Sequence, residues 1–262
     1  MKNTKNIQHD VGFLLYNIPT PTLDYTKIAQ ICVRHLKYHM PNIPIAVCGE
    51  PVDGADILIQ LQEVQSNQRM YVHENETVNE IWYNLTRDRS LEITPFERTV
   101  LLDSDYIVQS KQLDLLFQSK SPIMMYDKIY NIEHDSEEIE YLGKTSIPLK
   151  WATVIAFDHS EVSKKLFFLW KKILLNYSYY TKLYKWKPDG TIWNDKAITI
   201  AHQQLTDYNP ITKQYIIQWN HPLANFSCQV VQCNTDKIIL QDKKSKFQVH
   251  TDVHILNKKE LL

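Results

Sequence analysis

The sequence predicts an α/β fold with a mixed, mostly parallel central sheet flanked by helices. Three observations predict it. Residues 11–48 read as a β-α-β opening, Thr99–Leu102 is an apolar strand running straight into two aspartates, and strands alternate with helices early while strands dominate late. At 262 residues the chain is read as one domain spanning 1–262, long enough to bury a substantial core.

Val11–Tyr16 is a short apolar run closed by Asn17 and Pro19, which suits a buried strand. Asp24 then offers a cap for a helix from Tyr25 to about His39, with Ile28, Ile31, Cys32 and Leu36 on one face. Pro41 and Pro44 end it, and Ile45–Cys48 reads as the second strand. Glu80–Arg89 reads as a helix, Thr99–Leu102 as a strand, Gln112–Gln118 as a short helix and Asn131–Glu140 as a solvated acidic loop. Trp151–Phe157 is strand-like and Glu161–Leu175 helical. Asp195–Leu205 is a helix with Asn194 as its cap, and short strands follow, ending in Phe247–Leu256.

Composition narrows the function classes. The formal net charge of −1 gives no global attraction to nucleic acid or membrane. With five glycines and neither a G-x-G-x-x-G nor a G-x-x-x-x-G-K-[ST] run, the dinucleotide and P-loop fingerprints are missing. Phosphate, if bound, would need a metal or cationic side chains. Cys32, Cys48, Cys228 and Cys233 lack zinc-ligand or redox-motif spacing and read as reduced, mostly buried thiols. Met1–Asn6 is polar and no apolar run reaches membrane-spanning length, so a cytoplasmic protein with no membrane partner is expected.

Asp103 and Asp105 stand at the carboxyl end of an apolar strand, where open α/β sheets gather their ligands. Two carboxylates one residue apart repel, and a cation offsets that cost. Mg²⁺ or Mn²⁺ takes carboxylate oxygens while keeping positions open for phosphate. A surface turn rich in Asp would give the same letters.

The segment at 99–108, TVLLDSDYIV, resembles the VLYLDADTLV segment of GT-A glycosyltransferases, most closely the glycogenin-like, family-8 type. Further segments fall in the family's order from about residue 11 to 259. They are YTKIA at Tyr25, Arg87 upstream of the acidic pair, WATVIAF at Trp151, NDK at Asn194 and VHILNK at Val253. The resemblance implies a GT-A fold and a glycosyltransferase, hexosyl or pentosyl, using Mn²⁺ (or Mg²⁺) and a nucleotide-sugar, UDP-linked. Asp103, Asp105 and His254 would hold the metal, with His250 as the fallback third ligand. Tyr25 would pack on the base, and Arg87, Ser104 and Lys258 would meet the donor, Lys258 at its diphosphate. Asp195 would lie near the reacting sugar. Each of these has a plainer reading: Arg87 could pair with Asp88 or Glu92, Asp195 could cap its helix, and Tyr25 could simply pack. Trp151 and Thr153 stand where the family has Asn and Gly, Lys196 replaces Gln, and no Pro-Trp follows Lys258.

Lys164–Lys187 carries seven lysines and no acid, interleaved with Phe167, Phe168, Trp170, Tyr177, Tyr179, Tyr180, Tyr184 and Trp186. This is either an amphipathic helix with a solvated basic face or a surface for a polynucleotide. The second alternative makes DNA an acceptor, a hydroxymethylated base in phage DNA being the expectation, with a phage-encoded enzyme in the host cytoplasm. Nucleotidyl transfer is a rival that lacks its Gly-rich loop. A catalytically silent GT-A-like module binding DNA or glycan through this stretch is the rival outside enzymes.

Overall fold

The computed structural model of the protein describes residues 9–64, 66–73, 76–83, 85–186, 191–208, 213–242 and 245–262. Met1–Asn6 and Lys187 lie outside these. The opening unit is β1 (His9–Asn17), α1 (Tyr25–His39) and β2 (Ile45–Gly49), followed by β3 (Ile57–Ile59). The three strands pair in parallel. The Asp24 carboxylate accepts from the Lys27 N–H at 3.3 Å, satisfying one orphan donor of the first turn.

The expected helix at Glu80–Arg89 does not form. Asn67–His73 (β4) and Glu76–Trp82 (β5) pair as an antiparallel hairpin instead, and Leu85–Arg89 is a 3₁₀ turn leading into α2 (Ser90–Ile93). Pairing with the strand just before it outweighed a weak local helix preference.

The strand β6 (Phe96–Leu102) runs parallel to β1 and leads through a turn to β7 (Tyr106–Ile107) and α3 (Asp114–Gln118). Then come β8 (Ile123–Tyr126), β9 (Ile129–Asn131) and β10 (Ser136–Glu138). The pairing of β9 with β10 replaces the expected loop at Asn131–Glu140, and Glu133 between them accepts from Ser227 Oγ and Asn225 Nδ2. The strand β11 (Trp151–Asp158) runs antiparallel to both β6 and β8, completing a sheet in the order β3-β2-β1-β6-β11-β8. Every residue of β6 except Glu97 is buried. A strand covered on both faces reads as a continuous apolar run, and each large side chain it buries contributes about 1.5–3 kcal/mol.

Past β11 lie α4 (Glu161–Leu175), α5 (Tyr177–Leu183) and α6 (Asn194–Leu205). Helix α4 packs on α6, and α6 on β11. Asn194 is not the cap of α6. It is the first helical residue, and Trp193 occupies the cap position without a side-chain bond. In the Lys/aromatic stretch Phe167, Trp170, Tyr177, Tyr180, Tyr184 and Trp186 are buried, and only Phe168 and Tyr179 of the eight rings face solvent. Most of those rings are core, so they form no stacking platform. All four cysteines are free, and Cys32, Cys48 and Cys228 are buried. No helix among the described residues is long and apolar enough to cross a membrane.

The C-terminal region adds β12 (Pro222–Ala224), β13 (Gln229–Asn234), β14 (Lys237–Gln241), β15 (Lys246–Val249) and β16 (Val253–Ile255). The expected run Phe247–Leu256 is divided between two sheets: β15 joins β14 and β13, while β16 lies between β12 and β7.

Asp88, on the 3₁₀ turn beside α4, gives a pH prediction. Burial pushes its carboxyl up to about 6, with Lys171 opposing. The folded state therefore binds this proton more tightly than the unfolded chain, and stability falls as pH rises from about 4 through 6. Asp88→Asn removes that penalty. In urea unfolding its gain should be about 2 kcal/mol larger at pH ~7.5 than at pH ~4, and an equal gain at both would contradict the assignment.

Candidate functional site

The site forms where β6 ends. The Asp103 N–H donates to Thr153 O at 2.9 Å, which holds the last residue of the strand run against β11. The Ser104 hydroxyl donates to Tyr16 O at 2.9 Å and fixes the turn to the end of β1. The next strand, β7, pairs antiparallel with β16, placing His254 opposite Tyr106, and the Ile255 N–H donates to Asp105 O at 3.0 Å. A terminal strand is thereby stitched to the acidic turn.

One ligand atom from each of Asp103, Asp105 and His254 lies within 4.8 Å of the others. His254 Nε2 stands 3.4 Å from Asp105 Oδ2, and its Nδ1 is 3.3 Å from Thr153 Oγ1. The tautomer with its proton on Nδ1, donated to Thr153, has Nε2 bare for a metal, whereas a proton on Nε2 is donated to Asp105. Two carboxylate oxygens and one imidazole nitrogen suit Mn²⁺ or Mg²⁺, so these residues fit such an ion. His250 is exposed and takes no part in this group.

The charge of the two acids is balanced within the chain. Arg87 Nη1 donates to Asp103 Oδ1 at 2.5 Å, and Lys258 Nζ lies 2.8 Å from Asp105 Oδ2. Arg87 thus pairs with Asp103 rather than with Asp88 or Glu92. Burial pushes Asp103 above the usual carboxylate range, with Arg87 opposing. Burial acts on Asp105 in the same sense, but Lys258 and His254 outweigh it and hold Asp105 well below that range. Lys258 is held in its charged form against its own burial, chiefly by Asp105. Its ammonium also sits 5.3 Å over the ring of Tyr25 and donates to the Tyr25 hydroxyl at 3.5 Å.

Asp195 lies in the first turn of α6 and accepts from the Ala152 N–H at 2.6 Å, while Ala152 O accepts from Arg87 Nη2 at 2.7 Å. One residue of β11 thus links Asp195 to the Arg87–Asp103 pair. Burial raises the Asp195 carboxyl above its ordinary range. Lys196, the next residue, has its ammonium 5.4 Å from the Trp186 ring and 5.3 Å from the Trp193 ring.

Two features escaped the sequence reading. His221 is fully buried, stacked on Tyr126 at 4.6 Å and on His254 at 5.5 Å, and burial pushes its pKa well down. It is therefore a neutral plate behind His254, and no local motif marks it. The second is a cavity of about 770 Å³ at the ends of β1 and β2, lined by residues including Asn17, Thr26, Gly49 and Glu50. Asn17 Nδ2 donates to Glu50 O at 3.0 Å and to Thr26 Oγ1 at 3.2 Å. Gly49 has φ +104°, and a Cβ there would fall 2.3 Å from Asn17 O, so only glycine fits this lip. The one sequence cue was Asn17 closing the first strand.

No protein-family model and no curated protein sequence matches the chain. Among solved structures it is similar to the glycosyltransferase GlyE of Streptococcus pneumoniae TIGR4, with TM-score 0.45 and 12% identity over 80% of this chain and 45% of that one. It is similar also to the galactosyltransferase LgtC, solved with donor and acceptor sugar analogues, with TM-score 0.44 and 13% identity over 74% of this chain and 70% of LgtC. A third is the bifunctional glycosyltransferase WbbM, with TM-score 0.38 and 11% identity over 66% of this chain and 35% of that one. The chain thus spans less than half the length of GlyE.

Proposed function

We propose that the chain is a single-domain, metal-dependent glycosyltransferase of the GT-A type, moving a sugar from a nucleotide-diphosphate donor to an acceptor hydroxyl. The observation that carries this reading is the convergence of Asp103, Asp105 and His254 within 4.8 Å at the mouth of the sheet, beside the cation Lys258. The sequence resemblance of these same residues to the family's metal and diphosphate ligands supports it, and UDP is the donor base it favours.

Bound there, Mn²⁺ or Mg²⁺ supplies positive charge to the leaving diphosphate. The chain's own residues do the rest. Asp105 stays ionised because Lys258 and His254 oppose its burial. Lys258 is a cation already desolvated beside the acids, placed to exchange Asp105 for a phosphate oxygen. Tyr25, half-buried beneath that ammonium, gives the nucleoside a flat wall next to the cavity at Asn17 and Glu50. Asp195, held by the Ala152 N–H, is the carboxylate that the resemblance puts near the reacting sugar.

The acceptor is read only as a hydroxyl. DNA is not favoured as acceptor, because six of the eight rings in the Lys/aromatic stretch are core.

Release of UDP from UDP-sugars, assayed with and without Mn²⁺, tests the reading. Metal-dependent turnover is expected with at least one donor. A chain that neither turns over nor is thermally stabilised by any nucleotide-sugar with Mn²⁺ would instead be a silent module.

A further inference from the structure

The outer face of α4 and α5 has no role in sugar transfer. Across α4, Lys164, Phe168, Lys171 and Leu175 recur at three- and four-residue spacing and form one stripe, opposite the buried Leu166, Trp170 and Ile173. Phe168 is 67% exposed and Leu175 75%, and on α5 Tyr179 is 62% and Leu183 54% exposed. Four large apolar side chains on consecutive helices in water cost free energy unless something covers them.

Past Glu161 the charge carried by these two helices has one sign. No acidic residue occurs between Val162 and Trp186. Of the acids at this face, Glu161 in the first turn of α4 pairs with Lys164 at 2.6 Å and Glu92 of α2 with Lys171 at 4.0 Å, while Asp88 lies in the groove beside them. Lys165, Lys172, Lys182 and Lys185 are exposed and form no ion pair among the described residues. An interfacial helix has this layout, with bulky apolar groups on one stripe and lysines flanking it.

We propose that this face docks the protein peripherally on an anionic lipid bilayer. Phe168, Leu175 and Leu183 enter the acyl boundary while the four unpaired lysines meet the headgroup charge. The exposed aliphatic groups decide between lipid and nucleic acid. Leu175 and Leu183 gain nothing from a base or a phosphate, whereas transfer into acyl chains is what apolar groups of this size favour. Six of the eight rings that would stack on bases are buried. The proposal is independent of the sugar-transfer reading, since the face shares no residue with that site.

Co-sedimentation of the full chain with phosphatidylcholine vesicles, with and without about 30 mol% phosphatidylserine, tests it. Anionic vesicles should bind at least about tenfold more tightly, with each unpaired lysine strengthening binding by roughly fivefold and added salt weakening it. Phe168→Ser/Leu175→Ser should weaken that binding about tenfold, and Gln at Lys165, Lys172, Lys182 and Lys185 should reduce it to the phosphatidylcholine level. Leu183→Ser serves as a second, milder apolar variant, and unchanged circular dichroism verifies the fold of each. Equal binding to both vesicle types, no binding to either, or wild-type affinity in the apolar and lysine variants would overturn the proposal. Binding to a short DNA duplex that survives Phe168→Ser/Leu175→Ser, without vesicle binding, would do so in favour of nucleic acid.

Discussion

Asp105→Asn should lower metal-dependent donor turnover by at least about a hundredfold and also destabilise the fold by about 3 kcal/mol. Two separate consequences meet in one side chain. Asp105 is 1% exposed and supplies a carboxylate to the candidate metal group, so an amide there removes a charged ligand. It is also the counter-charge of Lys258 at 2.8 Å. Removing it leaves a buried ammonium with Asp103 as the nearest remaining acid. In a chain of this length, about 3 kcal/mol lowers the melting temperature by roughly 6–12 °C. The two consequences separate in a double variant. Asp105→Asn/Lys258→Met replaces the pair with neutral groups and should recover most of the stability, because a buried ion pair contributes little net. Turnover should stay low. If the double variant regains activity, the pair is structural and the metal assignment fails. The sign of the pH dependence follows from the same pair. Asp105 is held below the ordinary range, so its contribution is fully present above about pH 4 and is lost as pH falls below it.

Arg87→Ala should cost about 3–5 kcal/mol in urea unfolding and weaken Mn²⁺ binding as well. Arg87 is 5% exposed and bridges Asp103 Oδ1 and Ala152 O through its two terminal nitrogens. Without it Asp103 faces Asp105 with less compensation, and burial already raises the Asp103 carboxyl. The Ala152 carbonyl would also lose its Arg87 partner, on the residue whose N–H holds Asp195. Arg87→Lys should fall between, because a point charge on a flexible stem spans one of these acceptors but not both. A loss under about 1 kcal/mol for Arg87→Ala would show that the network is loosely coupled.

How much of this was legible in the sequence depended on whether the information was local. The elements β1, α1, β2, β6 and α4 follow from apolar runs, helical spacing and a capping aspartate. Those residues are contiguous, and each element buries a strand centre or one helix face. Asp103 and Asp105 stood out because an apolar strand led straight into them. The hairpin β4–β5 was missed, since its pairing is a tertiary choice between two segments that are each ambiguous alone. The sequence offered Arg87 the donor, Asp88 or Glu92 but not Asp103, because both that pairing and the bond to Ala152 depend on how the 3₁₀ turn meets β11. His254 and Lys258 could be placed beside the acids only by resemblance, because β16 reaches β7 through a sheet that no local spacing announces. His221, apolar in its surroundings and lacking any hydrogen-bond partner among the described residues, has no signature at all.

Calorimetric titration of the metal-free protein with Mn²⁺ tests the central claim most directly. The account predicts one ion per chain, with affinity lowered by at least about tenfold in Asp103→Asn, Asp105→Asn and His254→Ala alike, and unchanged in His250→Ala. Binding that survives all three substitutions, or no binding to the unaltered chain, would contradict it.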